Sequence, residues 1–245
     1  MTWLHCPRPR PYARQRLVCF PHAGGSASFF RDWGSSLPSV EVHTVCYPGR
    51  AARIGDPPPT DLTALAEEIA AAVEPLTGDD LPVALFGHSM GSVVAFETAR
   101  LLQARGAGLS HLYASGSRGP RLSRVRPEGS ADVYDDPDAV TAELLALGGT
   151  DAELLADPGF RDLVLPYVLG DFRMFDAYEY RPEPRLTCPV TAIVGDADPQ
   201  VSTVQSEAWR EVTDGPFRHL TVPGDHFYLA HEPPFTLLTG TGVPT

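Results

Sequence analysis

The pentapeptide Gly87-His88-Ser89-Met90-Gly91 constrains the fold more than any other feature of the chain. It follows the apolar run 83–86 and precedes a helical pattern over 92–105. A serine at a tight strand-to-helix turn adopts a strained backbone, so the residues two before and two after it must be small. The same turn exposes the hydroxyl and points a helix N-terminus at it, which favours negative charge developing there. Strand, nucleophile and helix in this order point to a serine hydrolase built on a parallel sheet.

The rest of the chain repeats that rhythm. Short apolar runs at 17–20, 42–47, 83–86, 109–114, 190–194 and 217–222 read as strands, with helical patterns at 62–76, 92–105 and 204–212 between them. In the first of these helices Leu62, Leu65, Ile69, Val73 and Leu76 recur at three- and four-residue steps and make one apolar face. Alternating strands and helices predict a mainly parallel sheet with flanking helices, here the α/β-hydrolase fold. Its 245 residues suit a single domain over 1–245. The rhythm breaks between about 119 and 185, where two helical patterns follow one another without a strand. Asp136-Pro137 and Asp157-Pro158 each place a capping Asp before a Pro suited to a first helical turn, and Pro166 is expected to kink or split the second helix. An aromatic-rich insertion of this kind predicts a helical lid over the active-site edge.

Chain order narrows the serine's partners, because this fold supplies Ser, then Asp or Glu, then His. His219, His226 and His231 follow the serine beyond the later strands; His226, in the loop after 217–222, is the preferred base. His219 falls inside the strand, and His231 is expected on a terminal helix. The acid is sought at the end of 190–194, where Asp198 is preferred, Asp196 reads as a turn-shaping residue, and Asp225 is a weaker rival. Two backbone N–H groups are needed for the oxyanion: that of Met90, after the nucleophile, and that of Ala23 in the Gly-rich loop Phe20-Pro21-His22-Ala23-Gly24-Gly25. This chemistry needs no metal and no cofactor.

The bulk properties exclude other classes. A formal net charge of −12, spread along the chain, disfavours nucleic acid and anionic membranes as partners. Cys6, Cys19, Cys46 and Cys188 lie far apart and read as small apolar residues rather than metal ligands or disulfides. No stretch approaches the ~20 apolar residues of a membrane span, and the N-terminal segment lacks the apolar core of a signal peptide, so a cytoplasmic monomer is the default expectation.

The motifs Phe20-Pro21-His22-Ala23-Gly24-Gly25, Tyr47-Pro48-Gly49-Arg50, Phe86-Gly87-His88-Ser89-Met90-Gly91, Gly195-Asp196-Ala197-Asp198 and Gly224-Asp225-His226-Phe227 resemble, in order, those of type II thioesterases. The resemblance covers about residues 17–229 and includes Asp171-Phe172 to Tyr178. It implies an enzyme that removes aberrant or stalled acyl groups from the phosphopantetheine arm of carrier proteins in polyketide and nonribosomal peptide synthesis. By position it assigns Ser89, Asp198 and His226 as the triad and Ala23 and Met90 as oxyanion donors. Where that family commonly has Arg-Ala-Asp, this chain reads Leu169-Gly170-Asp171. Carrier proteins are expected to be acidic, as this chain is, so docking would need a local basic patch; Arg118, Arg121, Arg124 and Arg126 are the candidates, against the alternative of a solvated loop. The competing readings are a carboxylesterase or lipase with the same triad, an excised terminal thioesterase domain, and a non-catalytic binding protein of the same fold.

Overall fold

The computed structural model describes residues 2–123, 141 and 157–239. Seven strands form one sheet: β1 (Leu4–His5), β2 (Gln15–Phe20), β3 (Val40–Val45), β4 (Val83–His88), β5 (His111–Ser115), β6 (Val190–Gly195) and β7 (Phe217–Val222), in the spatial order β1-β3-β2-β4-β5-β6-β7. Only β1 runs antiparallel, pairing Leu4 with Val45. Six strands were expected from their apolar runs; β1, two residues long, carries no periodicity that could announce it. Pairing carries β2 two residues beyond its apolar run and shifts β3 from the expected 42–47 to Val40–Val45, because Gln15 and Arg16 align with Val40 and Glu41. Residues of β4 and β6 are buried throughout, as strands covered on both faces must be.

The helices are α1 (Trp33–Ser36), α2 (Leu62–Val73), α3 (Met90–Ala104), α4 (Pro158–Ala177), α5 (Thr203–Glu207) and α6 (Phe235–Leu238). Asp61 caps α2 by accepting from the Ala64 N–H at 2.7 Å, and α2 buries the five-residue face expected of it as far as Val73. Leu76 falls in a 3-10 turn that continues the helix over Glu74–Thr77. The expected 204–212 helix divides into α5 and a 3-10 turn, Ala208–Val212. His231, expected on a terminal helix, instead follows the 3-10 turn Tyr228–Ala230 and is exposed.

Helix α4 belongs to the insertion. Asp157 caps it through the Phe160 N–H at 2.7 Å, with Pro158 in the first turn as expected. Pro166 does not split it: the helix runs unbroken from Pro158 to Ala177. One interior proline costs about 3 kcal/mol or more, and the buried face Val164, Leu165, Val168 and Met174 compensates. At its C-terminal end Tyr178 donates to Glu97 of α3 at 2.6 Å, and Arg100 joins the same carboxylate at 3.3 Å. The earlier helical pattern, with Asp136-Pro137, lies outside the described residues.

Central helix α3 is buried on nearly all sides and meets the sheet closely enough that backbone touches backbone. A Cβ on Gly91 would sit 2.5 Å from the Pro21 carbonyl oxygen, and one on Gly87 would lie against the Gly91 carbonyl. Neither neighbour is a side chain that could rotate away. Gly91→Ala is therefore expected to destabilise by at least ~1–3 kcal/mol, read as a lowered urea midpoint with an unchanged m-value; a midpoint equal to wild type would show that this contact is not rigid.

Candidate active site

The strand order creates the site. β2 pairs with β4, aligning Phe20 with Gly87, so the loop leaving β2 and the turn leaving β4 emerge side by side. The chain's connections diverge here, and crevices at such switch points are where parallel sheets bind ligands. Ser89 sits at the turn with φ 53° and ψ −124°, a conformation that strains any residue with a side chain. Hydrogen bonds hold it there. The Ser89 N–H donates to the Ser115 carbonyl at 2.8 Å, and the Ser92 hydroxyl reaches the Gly87 carbonyl at 2.8 Å.

Asp198 and His226 come from the loops after β6 and β7, which lie side by side. His226 Nδ1 and Asp198 Oδ2 are 2.8 Å apart, with side chains 2% and 0% exposed. The second carboxylate oxygen of Asp198 accepts from the Gln200 and Val201 N–H groups at 2.8 and 3.0 Å, which fixes its plane. Asp196 instead accepts from the Gly224 N–H at 2.9 Å and pins the two loops together, and Asp225 accepts from the Phe227 N–H. His219 lies in β7, away from this pair. The imidazole of His226 passes over the end of β5, where Gly116 (φ 55°) presents no side chain; a Cβ there would lie 3.4 Å from His226 Cε1 and 2.6 Å from His88 Cε1.

Two further histidines surround the site. His88 is fully buried, its Nδ1 3.0 Å from the Ser115 hydroxyl, which in turn meets the Tyr228 hydroxyl at 2.8 Å. Burial, together with the nearby His226 and His22, holds His88 well below the usual imidazole range. Burial also pushes His22 down to about 3, helped by the positive charges of His226 and Arg50. Sequence reasoning passed over this His88–Ser115–Tyr228 chain, although a histidine inside an otherwise apolar elbow is a signal of it.

The Gly-rich loop is held by a pair that sequence reasoning also missed. Arg50 and Asp171, 2% and 1% exposed, form a two-pronged ion pair with both N–O distances 2.5 Å. Asp171 additionally accepts from the Gly24 N–H at 2.8 Å, Arg50 donates to the Gly25 carbonyl at 3.2 Å, and Tyr47 donates to the Pro21 carbonyl at 3.1 Å. The rings of Tyr167 and Tyr47 flank the guanidinium, with centroids 4.8 and 5.3 Å away. Among the described residues the Ala23 N–H has no acceptor, and it lies in the loop beside the serine turn.

The basic candidates fare differently. Arg118 donates to the Gln200 carbonyl at 2.9 Å and Arg121 forms a two-pronged pair with Glu211 at 2.8 and 3.0 Å. Arg124 and Arg126 lie outside the described residues. All four cysteines are free; Cys19 and Cys188 are buried as expected, whereas Cys6 and Cys46 are only partly covered. Cys6, Glu41 and His43 bring three donor atoms within 4.8 Å of one another, but the Glu41 carboxylate already accepts from the Arg10 N–H and His43 and faces Arg16. No helix of the described residues is long and apolar enough to cross a membrane.

Comparison with known proteins shows the family and the fold. The family model described as the thioesterase domain matches residues 15–237. Thioesterase PikA5 of Streptomyces venezuelae is 43% identical over 229 residues, covering 93% of this chain and 80% of that protein. Among solved structures, the type II thioesterase BorB from the borrelidin biosynthetic cluster superposes with a TM-score of 0.85 at 39% identity, covering 96% of both chains. YbtT, a type II thioesterase from the yersiniabactin NRPS/PKS pathway, gives 0.86 at 33% identity, covering 97% of this chain and 96% of its own. The chain belongs to the thioesterase domain family, hydrolases of the α/β-hydrolase fold that act on thioesters.

Proposed function

We propose that this thioesterase clears acyl groups from the phosphopantetheine arms of acyl or peptidyl carrier proteins in a polyketide or nonribosomal peptide assembly line, using Ser89, His226 and Asp198. The observation that carries the reading is the buried His226–Asp198 pair, 2.8 Å apart, on the same sheet edge as the strained Ser89 turn. The pathway context rests on the similarity to BorB and YbtT.

The chemistry follows from the positions. His226 Nε2 takes the proton of the Ser89 hydroxyl as its oxygen attacks the thioester carbonyl. Asp198 accepts from Nδ1–H, keeps the ring in the useful tautomer and stabilises the imidazolium. The tetrahedral oxyanion rests on the N–H groups of Ala23 and Met90. The carbon–sulfur bond then breaks, the thiolate leaves with the imidazolium proton, and an acyl-serine remains. Water activated by His226 hydrolyses it, releasing the acid and restoring Ser89. Helix α4 covers the Gly-rich loop through Val168 and Asp171, which supports the reading of the insertion as a cover for the acyl group. With Arg121 paired to Glu211, carrier docking through the basic cluster has less free charge to draw on than the sequence suggested.

The decisive test compares an acyl carrier protein thioester with the matched free thioester and a p-nitrophenyl ester. Carrier-bound thioester is expected to be preferred, with activity abolished in Ser89→Ala; preference for the oxygen ester would indicate a carboxylesterase, and activity surviving in Ser89→Ala would overturn the nucleophile. Asp198→Asn should lower kcat by about 10⁴-fold, the size of effect seen when a triad acid is neutralised. The pH profile gives an independent check. Protonating His226 removes the base, so kcat/KM falls on the acid side. His22, pushed down to about 3, and His88, held well below the usual range, stay neutral there. The acid limb should therefore have a slope of one, and a slope of two would mean that His22 or His88 takes up a proton there.

A further inference from the structure

We propose that the buried Arg50–Asp171 pair is a positioning device for the oxyanion, through which helix α4 clamps the Gly-rich loop so that the Ala23 N–H stays free for the reacting carbonyl. The inference rests on the reading of Ala23 as an oxyanion donor. It assigns α4 a fixed structural duty rather than that of a moving gate.

The argument is an accounting of backbone groups. The Pro21 carbonyl is taken by Tyr47, the His22 carbonyl by the Gly25 N–H at 2.9 Å, the Gly24 N–H by Asp171, and the Gly25 carbonyl by Arg50. Buried backbone groups are almost always paired. The N–H of half-buried Ala23, the residue between these bonded groups, has no acceptor among the described residues. A donor held rigidly beside the serine turn stabilises charge that appears only in the transition state.

Helix α4 reads the same residue twice. Asp171 accepts from the Gly24 N–H, while one turn earlier Val168 packs on its Cα so closely that a Cβ would fall 2.8 Å from Val168 Cγ2. Gly24 is in the left-handed region, with φ 75°. If α4 moved away, the loop would lose an acceptor, a packing partner and the charge that holds Arg50 against Gly25. The displacement would reach Ala23, the preceding residue.

The test separates this role from mere folding. In the Arg50→Met, Asp171→Leu double variant the charges are gone and apolar volume replaces them, so the fold is kept while the Gly24 N–H loses its acceptor. Its kcat toward a short-chain acyl N-acetylcysteamine thioester is expected to fall about 10–100-fold with KM changed less than about threefold. The Arg50→Gln, Asp171→Asn double variant keeps an amide oxygen for Gly24 and should recover most of that loss. Amide hydrogen exchange provides a readout without turnover: the Gly24 N–H should be protected in the wild type and the Gln/Asn variant and exchange rapidly in the Met/Leu variant. A folded Met/Leu variant with wild-type kcat, a loss confined to KM, or an unprotected Gly24 N–H in the wild type itself would each overturn the proposal. Ser89→Ala is assayed alongside; if it is inactive while the Met/Leu variant is unimpaired, the clamp alone fails and the serine mechanism stands.

Discussion

The molecule depends on an ion pair that water hardly reaches. Removing both charges of Arg50 and Asp171 from solvent is expensive, and their attraction offsets that only when geometry is good and the remaining hydrogen-bonding capacity is filled. Here the geometry is good and most of that capacity is filled, by two parallel bonds of 2.5 Å, a third donor from Gly24, a carbonyl from Gly25 and tyrosine rings on the guanidinium; among the described residues only the Arg50 Nε–H of this pair finds no acceptor. Breaking such a pair by removing one partner costs about 3–5 kcal/mol. The pair joins three segments remote in sequence: the turn after β3, the loop after β2 and the middle of α4.

Strain and support are divided between two neighbouring strands. β4 runs into a serine turn whose φ of 53° costs on the order of 1–3 kcal/mol, and β2 runs into a loop whose polar groups are tied down from outside. The glycines at 87 and 91 let α3 approach close enough for the Ser92 hydroxyl to brace the elbow from within. The Ser89 turn and the loop are thus immobilised by different means, one by close backbone packing and the other by buried charge.

The parallel sheet, the elbow and the start of α4 could be read from the sequence because each has a local signature: apolar runs of strand length, a glycine-flanked serine, and the capping Asp157 before Pro158. Asp198 and Asp196 could be told apart only in part, since both follow the same strand; the difference lies in which loop each faces, Asp198 turning to His226 and Asp196 to the Gly224 N–H. β1 had too few residues to show a period. The Arg50–Asp171 pair left a trace that went unread. Along α4 the buried positions run Val164, Leu165, Val168, Asp171, Met174, so an acid occupies a slot on the apolar face and must have a buried cation opposite. Sequence spacing says that such a partner exists but not where it lies, and the arginine is 121 residues away.

The bare glycine at the end of β5 has a consequence for the reach of His226. Strands lie about 4.8 Å apart, so the tips of β4 and β7, with β5 and β6 between them, are separated by roughly 14 Å. The His226 imidazole, rooted after β7, crosses part of that gap: it lies over the end of β5, where a Cβ on Gly116 would fall 3.4 Å from its Cε1. The chain leaves a bald spot there, one side chain wide, and the histidine ring rests in it. A methyl group at this point would press on His88 as well as on His226, so a single missing carbon governs how closely the two rings can share the end of the sheet.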